Sequence, residues 1–210
     1  TRFHTMPELP EVETVRRSLE KRAVGLRVQH YLAVRPDYLR TGAPQAKRIA
    51  GGVIESVCRK GKLLALHLSN QWVLLHHLGM SGRLLFGSAH DPVPPHTHVR
   101  IKLEQEWEIR QRDPRRFGYA AILPLEDLDQ FPSWKNMGVD PFVITPRKFA
   151  ELVQARSKPI KNFLLDQQLV AGLGNIYVDE SLFRAKIHPL TLSRGLTENE
   201  AARLLRCIRR

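Results

Sequence analysis

From Leu9 to Ala23 the apolar positions Val12, Val15, Leu19 and Ala23 recur at steps of three and four, the spacing of one helix face. The pattern predicts a single helix that stops before Gly25. Beyond it, to about residue 125, the texture changes to short alternating or wholly apolar runs: RVQHYLAV, GGVIESV, KLLALHL, WVLLHHL, GRLLFG, HVRIKLE, WEIRQR and YAAILPL, divided by Gly, Pro and Asn. Runs of this length are strands. So many without intervening helices predict an antiparallel β-sandwich or barrel.

The stretch FPSWKNMGVDPF then breaks the strand pattern, and everything after it is helical in period. Thr145 followed by Pro146 predicts an N-cap and first helical position for a helix through about Ala155. A second helix is expected after Pro159 and a third from about Asn175. Thr197 with Glu200 forms a capping box for a fourth, which is still in stride at LLRCIRR and is expected to run through Arg210 into a longer protein. The expected fold is α+β, with an N-terminal helix and antiparallel β-sandwich in residues 1–132 and an all-α domain in residues 141–210.

A 42% hydrophobic content over 210 residues is enough for a real core. Charge changes the picture more. The 33 Lys and Arg against 21 Asp and Glu leave a net +12 and a pI near 10.2, an excess that suits a polyanion and nucleic acid first. No apolar run approaches membrane-spanning length and no amphipathic lysine-rich anchor is visible, so no membrane partner is expected. The opening residues carry no signal-peptide apolar region. Cys58 and Cys207 lack CxxC spacing, so neither a disulfide framework nor a metal site is expected from them. A reducing cytoplasm is the expected compartment.

The stretch MPELPEVET admits two readings. In one, Pro7 and Pro10 lead into the helix while Glu8, Glu11 and Glu13 complement its N-terminal dipole. In the other, removal of Met6 leaves Pro7 as an N-terminal secondary amine, whose pKa of about 8 keeps a useful fraction nucleophilic at neutral pH. Such an amine attacking a sugar C1′ gives an iminium ion, which acidifies the C2′ proton and permits loss of the 3′-phosphate. Glu8 stands next door to shuttle protons.

MPELPEVET, HLGMSG, DPRRFG and LLDQQLVAGLGNIYVDESLF, in that order, together resemble the formamidopyrimidine-DNA glycosylase family from Met6 to the last residue. The resemblance implies a bifunctional base-excision-repair enzyme with AP lyase activity and β,δ-elimination. Its partner would be double-stranded DNA containing oxidised purines such as 8-oxoguanine and formamidopyrimidines, and it would act as a monomer in the bacterial cytoplasm or nucleoid. Pro7 corresponds to the Schiff-base nucleophile, Glu8 to the assisting acid, and Lys62 in RKGKLL to a lysine that helps β-elimination and contacts phosphate. By residue type alone Lys62 reads as a solvated edge-strand lysine. The resemblance assigns Met80, Arg115 and Phe117 to filling the hole left when a base is extruded. An apolar thioether and a ring can wedge into a stack, while a guanidinium can bond the orphaned base edge. A core position is the other reading of Met80.

His96 and Arg156 align with DNA-contacting positions, with Lys158 as an alternative to Arg156. Gly172 and Gly174 in GLGNIY have no strand before them, so a dinucleotide site is not expected. They instead suit a helix–two-turn–helix hairpin in which Asn175 and nearby backbone amides hold a phosphate. Asp179 and Glu180 are expected in that helix's first turn as surface acids, and His76 and His77 as strand packing rather than metal ligands. No cofactor is expected in residues 1–210, because the family's zinc finger, with one zinc ion and a further arginine, would lie beyond them. TRFHT ahead of Met6 would leave Pro7 an amide if retained. Two other readings follow: an endonuclease VIII-like glycosylase for oxidised pyrimidines, and a DNA-binding relative without catalysis.

Overall fold

The computed structural model describes residues 7–42 and 44–210. Met6, whose removal the amine reading of Pro7 requires, and the TRFHT ahead of it lie outside the described residues. Helix α1 spans Leu9–Ala23 and buries Val12, Leu19 and Ala23 as the spacing predicts, together with Leu9.

All eight strand-like runs form strands: β1 (Val28–Ala33), β2 (Ile54–Lys60), β3 (Leu63–Leu68), β4 (Trp72–His77), β5 (Arg83–Ser88), β6 (Thr97–Leu103), β7 (Trp107–Arg112) and β8 (Tyr119–Pro124). They pair antiparallel in two four-stranded sheets, ordered β1-β6-β7-β5 and β2-β3-β4-β8. Val28, Ile101 and Ile109 of one sheet, Leu66 and Leu74 of the other, and Val12 and Leu19 of α1 share one apolar cluster. Each such side chain taken fully from water contributes about 2 kcal/mol.

Two connections decide where chemistry can sit. The β4–β5 loop, Leu78–Gly82, and the β7–β8 loop, Asp113–Gly118, both cross between the sheets. His77 pairs with Leu63 and Tyr119, while Arg83 pairs with Arg112. Both crossovers therefore leave from the same end of the sandwich as the β2–β3 turn.

The chain divides into two compact units after Lys135. Just before the division, a 3-10 turn over Leu125–Gln130 follows β8, and a short helix α2 (Pro132–Lys135) falls within FPSWKNMGVDPF, which reads as a separator in the sequence; a four-residue helix is too short to show a period. In the second unit α3 covers Pro146–Gln154, where Thr145 Oγ1 accepts from Lys148 N–H at 3.3 Å. It is followed by α4 (Ile160–Leu165), α5 (Asn175–Ala185) and α6 (Glu198–Ile208). Phe149, Phe163, Val178 and Leu204 are at the centre of their shared core. The capping box of Thr197 and Glu200 is formed. Helix α6 covers Glu198–Ile208, and Arg209 keeps a right-handed backbone. Arg209 is the C-cap, and its guanidinium turns back to the carbonyls of Pro141, at 2.8 Å, and Ile144.

Candidate functional site

Helix α1 runs opposite to β2: Gly25 N–H bonds Ile54 O near its C-terminus, and Arg59, two residues before the β2–β3 turn, bonds Glu13. The N-terminus of α1 therefore lies at the turn end of the sheet. Pro7 is half-buried there, and Glu8 is the N-cap, 1% exposed. Glu8 N–H donates to Glu11 Oε2 at 3.1 Å, an arrangement that fixes the first turn by satisfying an amide no helix bond can reach. Glu13 does not serve the helix dipole as expected. Burial pushes its carboxyl up, but hydrogen bonds from Arg16, Arg59 and Arg17 outweigh this and hold it down at about 2.

Lys62 sits in the β2–β3 turn. Burial pulls its ammonium below the ordinary lysine range, against the opposing charges of Glu8 and Glu11. The strand-edge lysine is thus a partly desolvated cation facing the carboxylates at the head of α1. Arg59 sets this arrangement, since it donates through Nε to Glu13 at 3.0 Å and through a terminal nitrogen to Gly61 O at 3.0 Å. No pattern in the sequence marks that double bond, because Arg59 reads as one more basic residue in CRKGK.

The crossover loops stand at the same end. Met80 is half-buried on a turn rather than in the core. Arg115 is exposed, and Phe117 is 54% exposed, with the Arg115 guanidinium 4.8 Å from the Phe117 ring centre. An exposed ring stacked under a cation is a rigid apolar face with a donor at its rim. His96 is exposed and holds a left-handed backbone, φ 65, and its carbonyl accepts from Asp113 N–H at 2.9 Å. The structure thus brings Pro7, Glu8, Lys62, Met80, His96, Arg115 and Phe117 to one end of the sandwich.

Beneath the loops lies a polar network that the sequence does not advertise. His76 is fully buried and its Nδ1 meets Gln111 Oε1 at 2.7 Å. His77 stacks on Tyr119 with ring centres 5.2 Å apart, and its Nδ1 accepts from Gly79 N–H at 3.1 Å. Burial lowers both imidazoles to about 4, helped for His77 by Arg40 and Lys62 and opposed by Asp113. Both histidines are packing elements of β4, as the strand pattern implies.

In the helical unit Arg156 is exposed after α3 and, among the described residues, its guanidinium bonds only Ala155 O, at 3.3 Å. Lys158, its alternative, is paired with Asp166 at 3.0 Å. Asn175 is exposed at the first position of α5. The preceding turn is stapled by Gln167, whose Nε2 donates to Leu165 O at 3.0 Å and Leu173 O at 2.8 Å while its Oε1 accepts from Gly172 N–H at 2.9 Å. Asp179 and Glu180 do not lie in the first turn. With α5 starting at Asn175 they fall in the second, where Asp179 pairs with Lys161 at 2.7 Å and Glu180 with Arg184 at 3.2 Å. Among the described residues no group of three or more His, Cys, Asp or Glu could hold a metal ion. No helix among them is long and apolar enough to cross a membrane.

The family model for the formamidopyrimidine-DNA glycosylase N-terminal domain matches residues 6–120, and that for the formamidopyrimidine-DNA glycosylase H2TH domain matches residues 137–210. The formamidopyrimidine-DNA glycosylase of Pelotomaculum thermopropionicum is 40% identical over 208 residues, covering 97% of this chain and 75% of its own length. That of Lactococcus lactis is 41% identical over 197 residues, covering 92% and 72%. Among solved structures, the wild-type Lactococcus lactis enzyme in complex with DNA containing N7-benzyl-Fapy-dG superposes with a TM-score of 0.88 at 36% identity, covering 96% of this chain and 76% of that one. The same organism's enzyme in complex with abasic-site DNA gives 0.87, again at 36% identity and with the same coverage.

Proposed function

The chain belongs to the formamidopyrimidine-DNA glycosylase family, a family of base-excision-repair DNA glycosylases, and from that premise we propose that it excises oxidised purines, 8-oxoguanine and formamidopyrimidines, from duplex DNA. The reaction runs through an N-terminal Pro7 amine. The observation that carries the proposal is the grouping of Pro7 with the buried Glu8 carboxyl and the partly desolvated Lys62 ammonium at one end of the sandwich.

The Pro7 nitrogen attacks C1′ of the damaged nucleotide, and the bond to the base breaks with a proton delivered to the leaving base. Glu8, within reach of the sugar, carries protons to and from its oxygens. Opening of the C1′–O4′ bond, with a proton passed from Glu8 to O4′, leaves C1′ and the Pro7 nitrogen as an iminium ion, which makes the C2′ proton acidic. Its removal breaks the bond between C3′ and its oxygen and releases the 3′-phosphate; a second elimination releases the 5′ side. Lys62 holds phosphate charge during these steps. Met80 and Phe117 fill the vacated stack, and Arg115 bonds the orphaned base. His96 and Arg156, with Asn175 at the α5 N-terminus, contact backbone phosphates. On this reading the first unit is catalytic, the second is a helix–two-turn–helix DNA-binding unit, and the protein works in the bacterial cytoplasm.

The test is borohydride trapping on an 8-oxoguanine duplex, with mass spectrometry of the N-terminus of the same preparation. A covalent adduct on a chain that begins at Pro7 is expected. Adduct formation by a chain that retains TRFHTM would contradict the amine mechanism, and an adduct formed only with oxidised pyrimidine would reassign the substrate. Binding without adduct from a Pro7-initiated chain would leave only a DNA-binding relative.

A further inference from the structure

Two separate loops carry Met80 and the Arg115–Phe117 pair, and one buried carboxylate holds both. Asp113 is 0% exposed. Its Oδ1 accepts from the Ser81 hydroxyl, and its Oδ2 from Gly118 N–H at 2.8 Å and the Tyr38 hydroxyl at 3.1 Å. The direction of these bonds is fixed from behind: Gln111 Nε2 donates to Tyr38 Oη at 3.0 Å, so the tyrosine's own hydrogen goes to Asp113. Ser81 Oγ in turn accepts from Arg115 N–H at 3.1 Å. One hydroxyl, next in sequence to Met80, therefore bridges the backbone of Arg115 to the carboxylate.

The main chain of Asp113 is anchored as well. Its carbonyl accepts from His98 Nε2–H at 2.8 Å, and a register irregularity between Thr97 and Val99 leaves His98 outside the β6–β7 pairing. The loops also touch directly. A Cβ on Gly79 would fall on Phe117 C and Gly118 N, and one on Gly118 would fall on His77 O and Tyr38 Oη. Only glycine permits this approach at either position.

We propose that Asp113 is a positioning residue that locks the Met80 loop to the Arg115–Phe117 loop, so that the three side chains meet the duplex as one preformed wedge. The inference rests on the role proposed above for those side chains. A wedge assembled in advance loses little conformational freedom on insertion. Removing one member of the network leaves buried donors unpaired, which loosens both loops together.

The experiment is stopped-flow fluorescence of 2-aminopurine placed beside 8-oxoguanine, which brightens as the stack opens, run beside binding to undamaged duplex. Ser81→Ala deletes the bridging hydroxyl with minimal change of volume, and Asp113→Asn sets an amide N–H against the donors. Both are expected to slow the fluorescence rise about tenfold and to cut the preference for cytosine over adenine opposite a tetrahydrofuran abasic analogue by a similar factor. Affinity for undamaged duplex should stay within about twofold.

Parental values for Ser81→Ala, or an equal loss on undamaged duplex, would overturn the inference. Met80→Ala and Arg115→Ala in the same assay separate it from the reading beneath it. Parental opening in those two removes the wedge, whereas slow opening there with parental Ser81→Ala removes only the lock.

Discussion

His76 shows how a single buried ring can set the pH response of the fold. Burial lowers its imidazole from 6.5 to about 4, so between those values the unfolded chain binds a proton that the folded chain refuses. Stability from this residue is fully present above about pH 6.5, falls as the pH drops, and levels off near pH 4. The full shift corresponds to about 3 kcal/mol. His76→Gln keeps a donor for Gln111 Oε1 but cannot titrate. Urea midpoints measured at pH 7 and pH 4.5 should lie closer together for that variant than for the parent, with His77, also lowered to about 4, supplying part of the gap that remains, and an unchanged pH slope in the variant would exclude His76 as a source. The same ring marks a limit of reading side chains from sequence. WVLLHH shows that His76 is a strand residue, but not that Gln111, Tyr38 and Asp113 continue its hydrogen bonds across the sandwich, since those partners come from two distant segments.

The eight strands and the helices other than α2 were legible because each follows a local rule: alternation in β2 and β7, a threefold and fourfold stripe in α1, a cap and proline before α3, a capping box before α6. What one end of the sandwich assembles was not, because register and crossover set it. Met80, Arg115 and Phe117 are nameable only through HLGMSG and DPRRFG, and nothing in those motifs marks Ser81 and Asp113 as partners. Nothing marks Arg59 either, although it ties α1 to the β2–β3 turn through Glu13 and Gly61. Arg59→Ala is expected to lower stability by about 2 kcal/mol, since hydrogen bonds to charged groups are lost at a site nearly closed to water. It should also slow strand cleavage by displacing Lys62 from the head of α1, while opposite-base preference stays parental because the crossover loops are untouched. Thermal denaturation and single-turnover cleavage would show this pairing of effects; cleavage at the parental rate would mean the turn holds Lys62 without the arginine.

A chain with 33 Lys and Arg against 21 Asp and Glu carries the charge to attract any duplex through its phosphates, so affinity alone cannot distinguish residues that hold DNA from those that read damage. Salt dependence can. Each phosphate neutralised contributes about 0.9 to the slope of log affinity against log salt. Arg156, exposed and bonded only to its neighbour's carbonyl among the described residues, should weaken lesion and undamaged duplex equally as Arg156→Ala and reduce the slope by about 1. Lys158 already has Asp166 at 3.0 Å, so Lys158→Ala should change the slope by less. Arg115→Ala should leave the slope nearly unchanged and instead erode the preference for cytosine opposite the lesion, because a guanidinium stacked on Phe117 is aimed by its ring rather than by a phosphate. Equal slopes for the Arg156 and Lys158 variants would show that the ion pair opens on DNA and that both cations reach the backbone. A reduced slope for Arg115→Ala would move that residue from reading bases to holding phosphates.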